Sequence, residues 1–229
     1  MSIFNTFLAK IFPVMGAVNE DDVKVHDVTP FAKEFDLEAM EVIRNAPVWM
    51  SRAERLLLYT LIFTLRPSRY LEIGTFQGGS ALVVNAALDA LNSQTPLICV
   101  DPEWNVAPED WQKIEHRATF IEGYSPAILP KAEEAAGGKF DFVLIDGDHS
   151  YEGVLRDARG VLPHLAPNAY LLFHDSFFTN VARGLNQFAN ENANQLVDFG
   201  SLTREVTVEA HEEKGAIQWG GLRLMQRRS

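Results

Sequence analysis

Apolar residues at Phe4, Phe7, Leu8, Ile11 and Phe12 follow the i, i+3, i+4, i+7, i+8 spacing of one helical face, and Pro13 ends that run. Residues 13–35 mix Pro, Gly, Asn and acids without a period and predict an irregular lead-in; a short helix over Asp36 to Arg44 follows, stopped by Pro47. Ser51-Arg52-Ala53-Glu54 reads as a capping box, the Ser hydroxyl accepting the Glu54 N–H and the carboxylate accepting the Ser51 N–H. Leu56, Leu57, Leu58, Leu61, Ile62 and Leu65 then predict a long apolar helix that ends before Pro67. From there the period switches back and forth. Strand-like runs at Arg69–Ile73, Pro96–Asp101, Ala118–Glu122, Phe140–Asp146 and Ala169–Asp175 alternate with helical runs at Ser80–Leu91, Glu109–His116, Pro126–Ala135 and Tyr151–Leu165. A polar helix over Val181 to Asn192 comes next. Alternation in Leu202 to Val208 and in part of Ile217 to Met225 predicts a closing antiparallel hairpin.

Such alternation predicts an α/β fold, a Rossmann-like doubly wound and mostly parallel sheet with that hairpin closing it, over residues 50–229, preceded by a helical extension over 1–49. Ligands in this architecture lie beyond the carboxyl ends of the strands, where the strand order reverses. Five strand ends carry a polar or glycine-bearing cluster there: Glu72-Ile73-Gly74, Asp101-Pro102, Glu122-Gly123-Tyr124-Ser125, Asp146-Gly147-Asp148-His149 and His174-Asp175-Ser176.

Composition narrows the partners. A chain of 229 residues, 47% of them hydrophobic, carries one folded body with a substantial core. With 31 acidic against 20 basic side chains, a formal charge of -11, a nucleic-acid backbone is disfavoured and a small-molecule substrate is easier to accept. Cys99 stands alone inside Leu97-Ile98-Cys99-Val100, as a small buried hydrophobe does, and no disulfide can form within the chain. The first helix is too short to span a bilayer and lacks the basic start and cleavage site of a secretory signal, so no transmembrane segment and a cytoplasmic location are expected. Its apolar face is expected to dock on the body or on a second subunit, which would make a homo-oligomer, with a membrane surface or another partner as the rival use.

The chemistry begins at the first glycine cluster. At Gly74, Gly78 and Gly79 a missing Cβ lets a ligand or the next helix approach the main chain, and the helix from Ser80 offers unpaired N–H groups. The cluster has neither the G-x-G-x-x-G spacing of a dinucleotide site nor the G-K-[ST] ending of a phosphate loop, which disfavours a nicotinamide or a nucleoside triphosphate.

Glu72-Ile73-Gly74-Thr75-Phe76-Gln77-Gly78-Gly79-Ser80 followed by Asp101 resembles the first two cofactor motifs of the class I methyltransferases that use S-adenosylmethionine (SAM). Ile145-Asp146-Gly147-Asp148-His149-Ser150-Tyr151-Glu152-Gly153-Val154, with Asp157, Phe173-His174-Asp175 and Trp219-Gly220-Gly221-Leu222, is similar to the branch grouped with the cephalosporin-hydroxylase-like and macrolide-sugar O-methyltransferases; the likeness covers about residues 50 to 225. It implies that 50–229 is a SAM-dependent methyltransferase domain acting on a hydroxyl of a small acceptor, a sugar or a secondary metabolite. It also implies that Gly74 and its neighbours Glu72, Phe76, Gly78 and Ser80 surround the methionine part of SAM. Asp101, with Pro102 beside it, would accept hydrogen bonds from the ribose hydroxyls. Gly123, Tyr124 and Ser125 would lie near the adenine, and Asp146 would border the cofactor. Ser51 would approach it too, although the capping box explains Ser51 without a ligand.

Methyl transfer from a sulfonium requires an acceptor held in line, exclusion of water and, for a hydroxyl, removal of a proton. One device for the proton is a general base, for which His149 and His174 are candidates beside Asp146. The other is a divalent cation such as Mg²⁺; Asp146 and Asp175 match metal positions of related O-methyltransferases, and His174 in place of an acid would shift the preference toward a transition metal. Against both, Asp148, His149 and Ser150 could serve to cap the helix at Tyr151. His26, His116, His164 and His211 are given no role. Two rival functions stay open: a nucleotide-dependent oxidoreductase on a similar sheet, and a catalytically silent SAM-binding scaffold that interacts through its first helix.

Overall fold

The computed structural model describes residues 37–211 and 215–229; the expected first helix over Phe4 to Phe12 and the lead-in at 13–35 lie outside them. The elements are α1 (Leu37–Asn45), α2 (Arg52–Leu65), β1 (Tyr70–Ile73), α3 (Gly79–Ala90), β2 (Leu97–Asp101), α4 (Pro108–Ile114), β3 (Ala118–Glu122), α5 (Leu129–Ala135) and β4 (Phe140–Ile145). Then follow α6 (Tyr151–Val161), β5 (Leu165–Phe173), α7 (Thr179–Glu191), β6 (Leu196–Ser201), β7 (Thr207–His211), β8 (Gly215–Trp219) and β9 (Arg223–Arg227). Leu37–Ser229 is one compact unit. Seven strands form one sheet in the order β3-β2-β1-β4-β5-β9-β6. The first five are mutually parallel, and β9 runs antiparallel to both of its neighbours.

Alternation along each strand sorts the core into two layers. Tyr70, Cys99, Phe142, Leu144 and Leu172 face one cluster with Ile43 of α1, Leu58 and Ile62 of α2, and Val84 and Leu88 of α3. Leu71, Ile73, Val100, Val143 and Phe173 face the other, with Leu129 of α5, Val154 and Ala158 of α6, and Leu185 and Phe188 of α7. The chain winds outward from β1 to β3, then returns to β4 on the other side of β1. The strand order therefore reverses between β1 and β4, and the helices that leave those strands, α3 and α6, pack on opposite faces.

The structure differs from the expected pattern chiefly in two places, besides a helix expected from Pro126 that starts at Leu129 and a strand expected from Leu202 that starts at Thr207. The helix expected through Leu165 ends at Val161 in a short 3₁₀ turn, and β5 starts at Leu165 rather than Ala169; Pro163 lacks the N–H that would continue the helical ladder. The expected single hairpin is split. β7 and β8 pair as a separate two-stranded ribbon, whereas β9 enters the main sheet between β5 and β6, a strand over Leu196–Ser201 that the sequence reading does not include. Gly220 and Gly221, at φ +93° and +95°, make the turn between ribbon and sheet; a Cβ on Gly221 would lie 2.5 Å from Ser176 Oγ. Among the described residues no helix is long and apolar enough to cross a membrane.

Capping chemistry places the segment that will border the site. Ser51 Oγ accepts the Glu54 N–H at 3.3 Å and Glu54 Oε2 accepts the Ser51 N–H at 2.6 Å, so the capping box is present. Beside it, the Arg55 guanidinium donates to the carbonyls of Ile43, Arg44, Ala46, Val48 and Met50 at 2.7–3.3 Å. One side chain thus satisfies the open end of α1 and holds the strap Pro47-Val48-Trp49 in place. Arg55→Ala is expected to cost about 3 kcal/mol in urea denaturation, and Arg55→Lys to recover less than half of it, since an ammonium cannot reproduce the planar fork. Full recovery by Lys would show that charge alone suffices.

Candidate active site

The site is built at the carboxyl ends of the parallel strands, and its floor is main chain. Gly74 follows β1 at φ +92°, and a Cβ there would lie 2.1 Å from the carbonyl oxygen of Asp146, which follows β4. Only glycine permits that approach. The Gly74 N–H donates to Val100 O at 2.9 Å and the Asp146 N–H to Ile73 O at 2.8 Å, so β1, β2 and β4 stay laddered up to the turn. Above them a cavity of about 550 Å³ is lined by Gly74, Phe76 and Ser80, by Asp101 and Pro102, by Gly123, Tyr124 and Ser125, and by Asp146, His149, His174 and Asp175. Its volume falls within the roughly 300–1,000 Å³ typical of small-molecule sites.

Asp101 is held by two backbone donors, Phe76 N–H to Oδ2 at 2.8 Å and Glu103 N–H to Oδ1 at 3.0 Å. Each oxygen retains a further lone pair. Phe76 (49% exposed) and Trp49 (85% exposed) stand edge to face at 6.2 Å on the cavity wall.

Three residues expected at the cofactor lie elsewhere. Gly78 faces Val106. Ser51 caps α2 and lines a second cavity. Glu72 is fully buried beneath the floor, where Ser80 Oγ and Tyr70 OH donate to its Oε2 at 3.0 and 3.3 Å. Burial pushes the Glu72 carboxyl up to about 7, against the hydroxyls of Ser80, Thr75 and Tyr70, which favour its ionised form.

Two acids and two imidazoles meet at the ends of β4 and β5. His149 Nε2 lies 3.2 Å from Asp146 Oδ1 and 3.0 Å from Asp175 Oδ2. His174 Nδ1 lies 3.1 Å and 3.4 Å from the same two atoms, while its Nε2 points to Glu54 Oε2 at 3.6 Å. Burial would lower the His149 ring, but hydrogen bonds to Asp146 and Asp175 outweigh it and bring the ring up to about 9. Burial opposes protonation of His174 as well, yet the charge of Asp146, with Glu54 and Asp175, holds it well above the usual imidazole range. For Asp146 burial works upward and the two imidazoles win, leaving it well below the usual carboxylate range. Asp175 adopts φ +52°, a left-handed conformation that non-glycine residues enter at a cost, and its Oδ1 accepts the Gly220 N–H at 2.5 Å.

Capping accounts for two of the three residues before α6. Ser150 Oγ accepts the Gly153 N–H at 3.0 Å, and Asp148 Oδ1 accepts the Ser150 N–H at 2.9 Å. His149 is not used in this way; its ring turns to the acids and meets Trp219 edge to face at 5.8 Å, with Trp219 itself stacked on Phe178 at 4.6 Å. Among the described residues, Asp146, His149 and Asp175 offer ligand atoms all within 4.8 Å of one another, a set that could hold a metal ion. The set expected from sequence had His174 in the place of His149. The structure puts His174, 4% exposed, behind the acids with both ring nitrogens facing carboxylates. The Asp146-x-x-His149 spacing is the signal that points to the outer ring.

A second cavity of about 760 Å³ adjoins the first and shares Val48, Trp49, His149 and Asp175 with it; Ser51, Glu54, Glu205, Thr207, Glu209 and Trp219 complete much of its wall. Sequence reasoning had not marked Trp49 or Glu54 as site residues. Nothing around Trp49 in the sequence marks it, and Glu54 already had a sufficient local explanation.

Residues 71–176 match the family model described as a methyltransferase domain. The chain is 28% identical over 133 residues to the rhamnosyl O-methyltransferase of Mycobacterium bovis, covering 56% of this chain and 54% of that one. It is 29% identical over 114 residues to an uncharacterized protein of Acanthamoeba polyphaga mimivirus, covering 46% and 50%. The chain spans about half the length of these curated relatives. Among solved structures, an O-methyltransferase from Bacillus cereus in complex with SAH superposes with a TM-score of 0.60 at 17% identity, over 88% of this chain and 95% of that one. An O-methyltransferase from Streptomyces achromogenes in complex with SAM gives 0.59 at 17% identity over 100% of both. At that identity the superpositions establish the fold.

The buried carboxyl of Glu72 yields a signed expectation. Its folded pKa of about 7 lies above the ordinary 4.5, so its contribution is fully present below 4.5 and lost as pH rises through 7. The stability of Glu72→Gln relative to wild type is expected to increase by about 2 kcal/mol between pH 5 and pH 8.5 in urea melts. A difference independent of pH would show that the group does not titrate there.

Proposed function

We propose that the chain transfers the methyl group of SAM to a hydroxyl of a small acceptor, a sugar or secondary metabolite; the match of residues 71–176 to the methyltransferase-domain model and the shared α/β fold support this reading. The observation that carries this reading is the convergence of the Gly74 elbow, Asp101 and the Asp146–Asp175 pair on one cavity at the strand-order reversal. The residues fit the cofactor. The backbone floor at Gly74 admits close approach of a chain such as the methionine part, the Asp101 oxygens keep acceptor capacity for two adjacent hydroxyls, and Gly123, Tyr124 and Ser125 border the space for a flat ring. When bound, SAM supplies a methyl group already activated on a sulfonium.

The protein's share is then placement and proton handling. The acceptor takes the second cavity, whose wall holds Trp49 and Trp219, indole rings of the kind that stack on sugar rings. His149 borders both cavities, so its Nε2 is the atom placed to take the acceptor's proton, once the ring has lost the proton that Asp146 and Asp175 hold on it. The rival use of the same residues is a cation. Asp146, His149 and Asp175 would hold it, and it would supply a Lewis acid that lowers the pKa of the hydroxyl. A His nitrogen beside two carboxylates suits a transition metal better than Mg²⁺. His149 cannot serve as both ligand and base. The relative named for rhamnosyl O-methylation supports trying deoxyhexosides first.

Calorimetry with SAH is expected to show binding that Asp101→Ala weakens at least about tenfold, the loss of a charge-assisted acceptor; no heat at millimolar SAH would overturn the reading. Methyl transfer to a panel of alkyl rhamnosides and other hydroxylated metabolites separates the two proton devices. Activity lost on chelation and restored by a divalent ion supports the cation, whereas activity indifferent to chelation and to Asp175→Ala leaves His149 as the base.

A further inference from the structure

A glutamate in a capping box needs only the N–H of its own cap residue, and it can reach that from the surface. Glu54 is instead 1% exposed. Its carboxylate is shared between its own cap residue and two distant parts of the chain. Oε2 accepts the Ser51 N–H at 2.6 Å and lies 3.6 Å from His174 Nε2, while Oε1 accepts the Gly221 N–H at 2.5 Å. The adjacent Gly220 N–H donates to Asp175 Oδ1 at 2.5 Å. Two successive N–H groups of one turn therefore hold a carboxylate from α2 and one from the end of β5. His174 spans the gap between them, with Glu54 beyond one nitrogen and Asp146 beyond the other.

We propose that Glu54 is a positioning residue of the active site: from behind the cavity it fixes the His174 ring and the Gly220–Gly221 turn, and through them sets Asp146 and Asp175 against His149. The inference rests on the methyltransferase reading for what the site does, but its structural content stands apart from it. Helix capping explains only the Ser51 contact; a buried carboxylate is costly unless paired, and its other two partners are His174, which lines the first cavity, and the N–H next to the one that holds Asp175. His174 is bound in the same way. Without Glu54, His174 Nε2 loses the carboxylate it faces; without His174, Glu54 keeps only two backbone N–H donors. The side chain also lies on the wall of the second cavity, so the same carboxylate borders the space assigned to the acceptor.

The test compares the full chain with Glu54→Gln, which keeps the size of the side chain, and with Leu58→Ala, which weakens α2 one turn further on without reaching the site. Melting temperature, SAH affinity by calorimetry, the ring NMR signals of His149, and methyl transfer to whichever acceptor the panel identifies are recorded for each. Glu54→Gln is expected to lower kcat on the order of 10–100-fold while SAH affinity stays within about threefold, and to shift the His149 ring signals although His149 is not among its contacts. Leu58→Ala is expected to lower the melting temperature and leave both kcat and the His149 signals in place. His149 signals unmoved by Glu54→Gln, or a kcat that follows melting temperature in both variants, would overturn the inference. Should Glu54→Gln not fold, Glu54→Asp, which keeps the charge but withdraws it from His174 and Gly221, gives the same readouts. If SAH binds but no acceptor turns over, the His149 ring signals decide. Failure to bind SAH would defeat the methyltransferase reading and leave the ring measurement standing.

Discussion

The contact on which the rest of the molecule depends is between two stretches of main chain, Gly74 after β1 and Asp146 after β4. Neighbouring parallel strands end at the same level, and here the helices that follow them leave toward opposite faces of the sheet. The two turns would be forced apart by any side chain at Gly74. With none there, they close the base of a crevice whose walls still diverge, and a ligand-sized space opens directly above backbone. Asp101, one strand over, and Asp175, one strand beyond β4, then reach the same space because the ladder of β2, β1, β4 and β5 keeps their ends in register.

Charge is arranged around that crevice in depth. Furthest in, Glu72 is wrapped by hydroxyls on the α1–α4 side of the sheet. Behind the rim, Glu54 and His174 form a buried pair tied to the turn that carries the chain from the β7–β8 ribbon into β9. At the rim, Asp146 and Asp175 are shared by both imidazoles, and only His149 faces outward. Asp146 and Asp175 are thus held by His149, His174 and the Gly220 N–H, which gives a cluster so dense in ionisable groups a defined geometry.

Much of this was legible in the sequence wherever the cause is local. Four residues suffice for the capping box at Ser51 to Glu54, because both hydrogen bonds lie within one turn of helix. The β1 strand and its glycine elbow, the acid ending β2, and the Asp146-to-His149 run are equally local, and their convergence follows from parallel topology alone. What was hidden depends on distant partners. Glu54 meets Gly221 across 167 positions, so nothing near Glu54 announces the second use of its carboxylate. His174 and Asp175 are adjacent at the end of β5 and both line the cavity, and the left-handed backbone of Asp175 is a conformation the sequence does not require. The edge strand β6 mixes apolar and polar residues without strict alternation, and its pairing with β9 around a bulge at Asp198 to Gly200 is decided by the sheet it joins rather than by its own pattern.

The central claim is that the elbow, Asp101 and the β4–β5 acids form one ligand site rather than a set of independent strand ends. A crystal structure of the full chain grown with SAH tests this most directly. The expected result places the ribose on Asp101, the adenine beside Gly123 to Ser125, and the sulfur on the side of the cavity that holds Asp146 and His149. SAH bound away from this cavity, or a cavity closed by the protein's own side chains with SAH excluded, would contradict it.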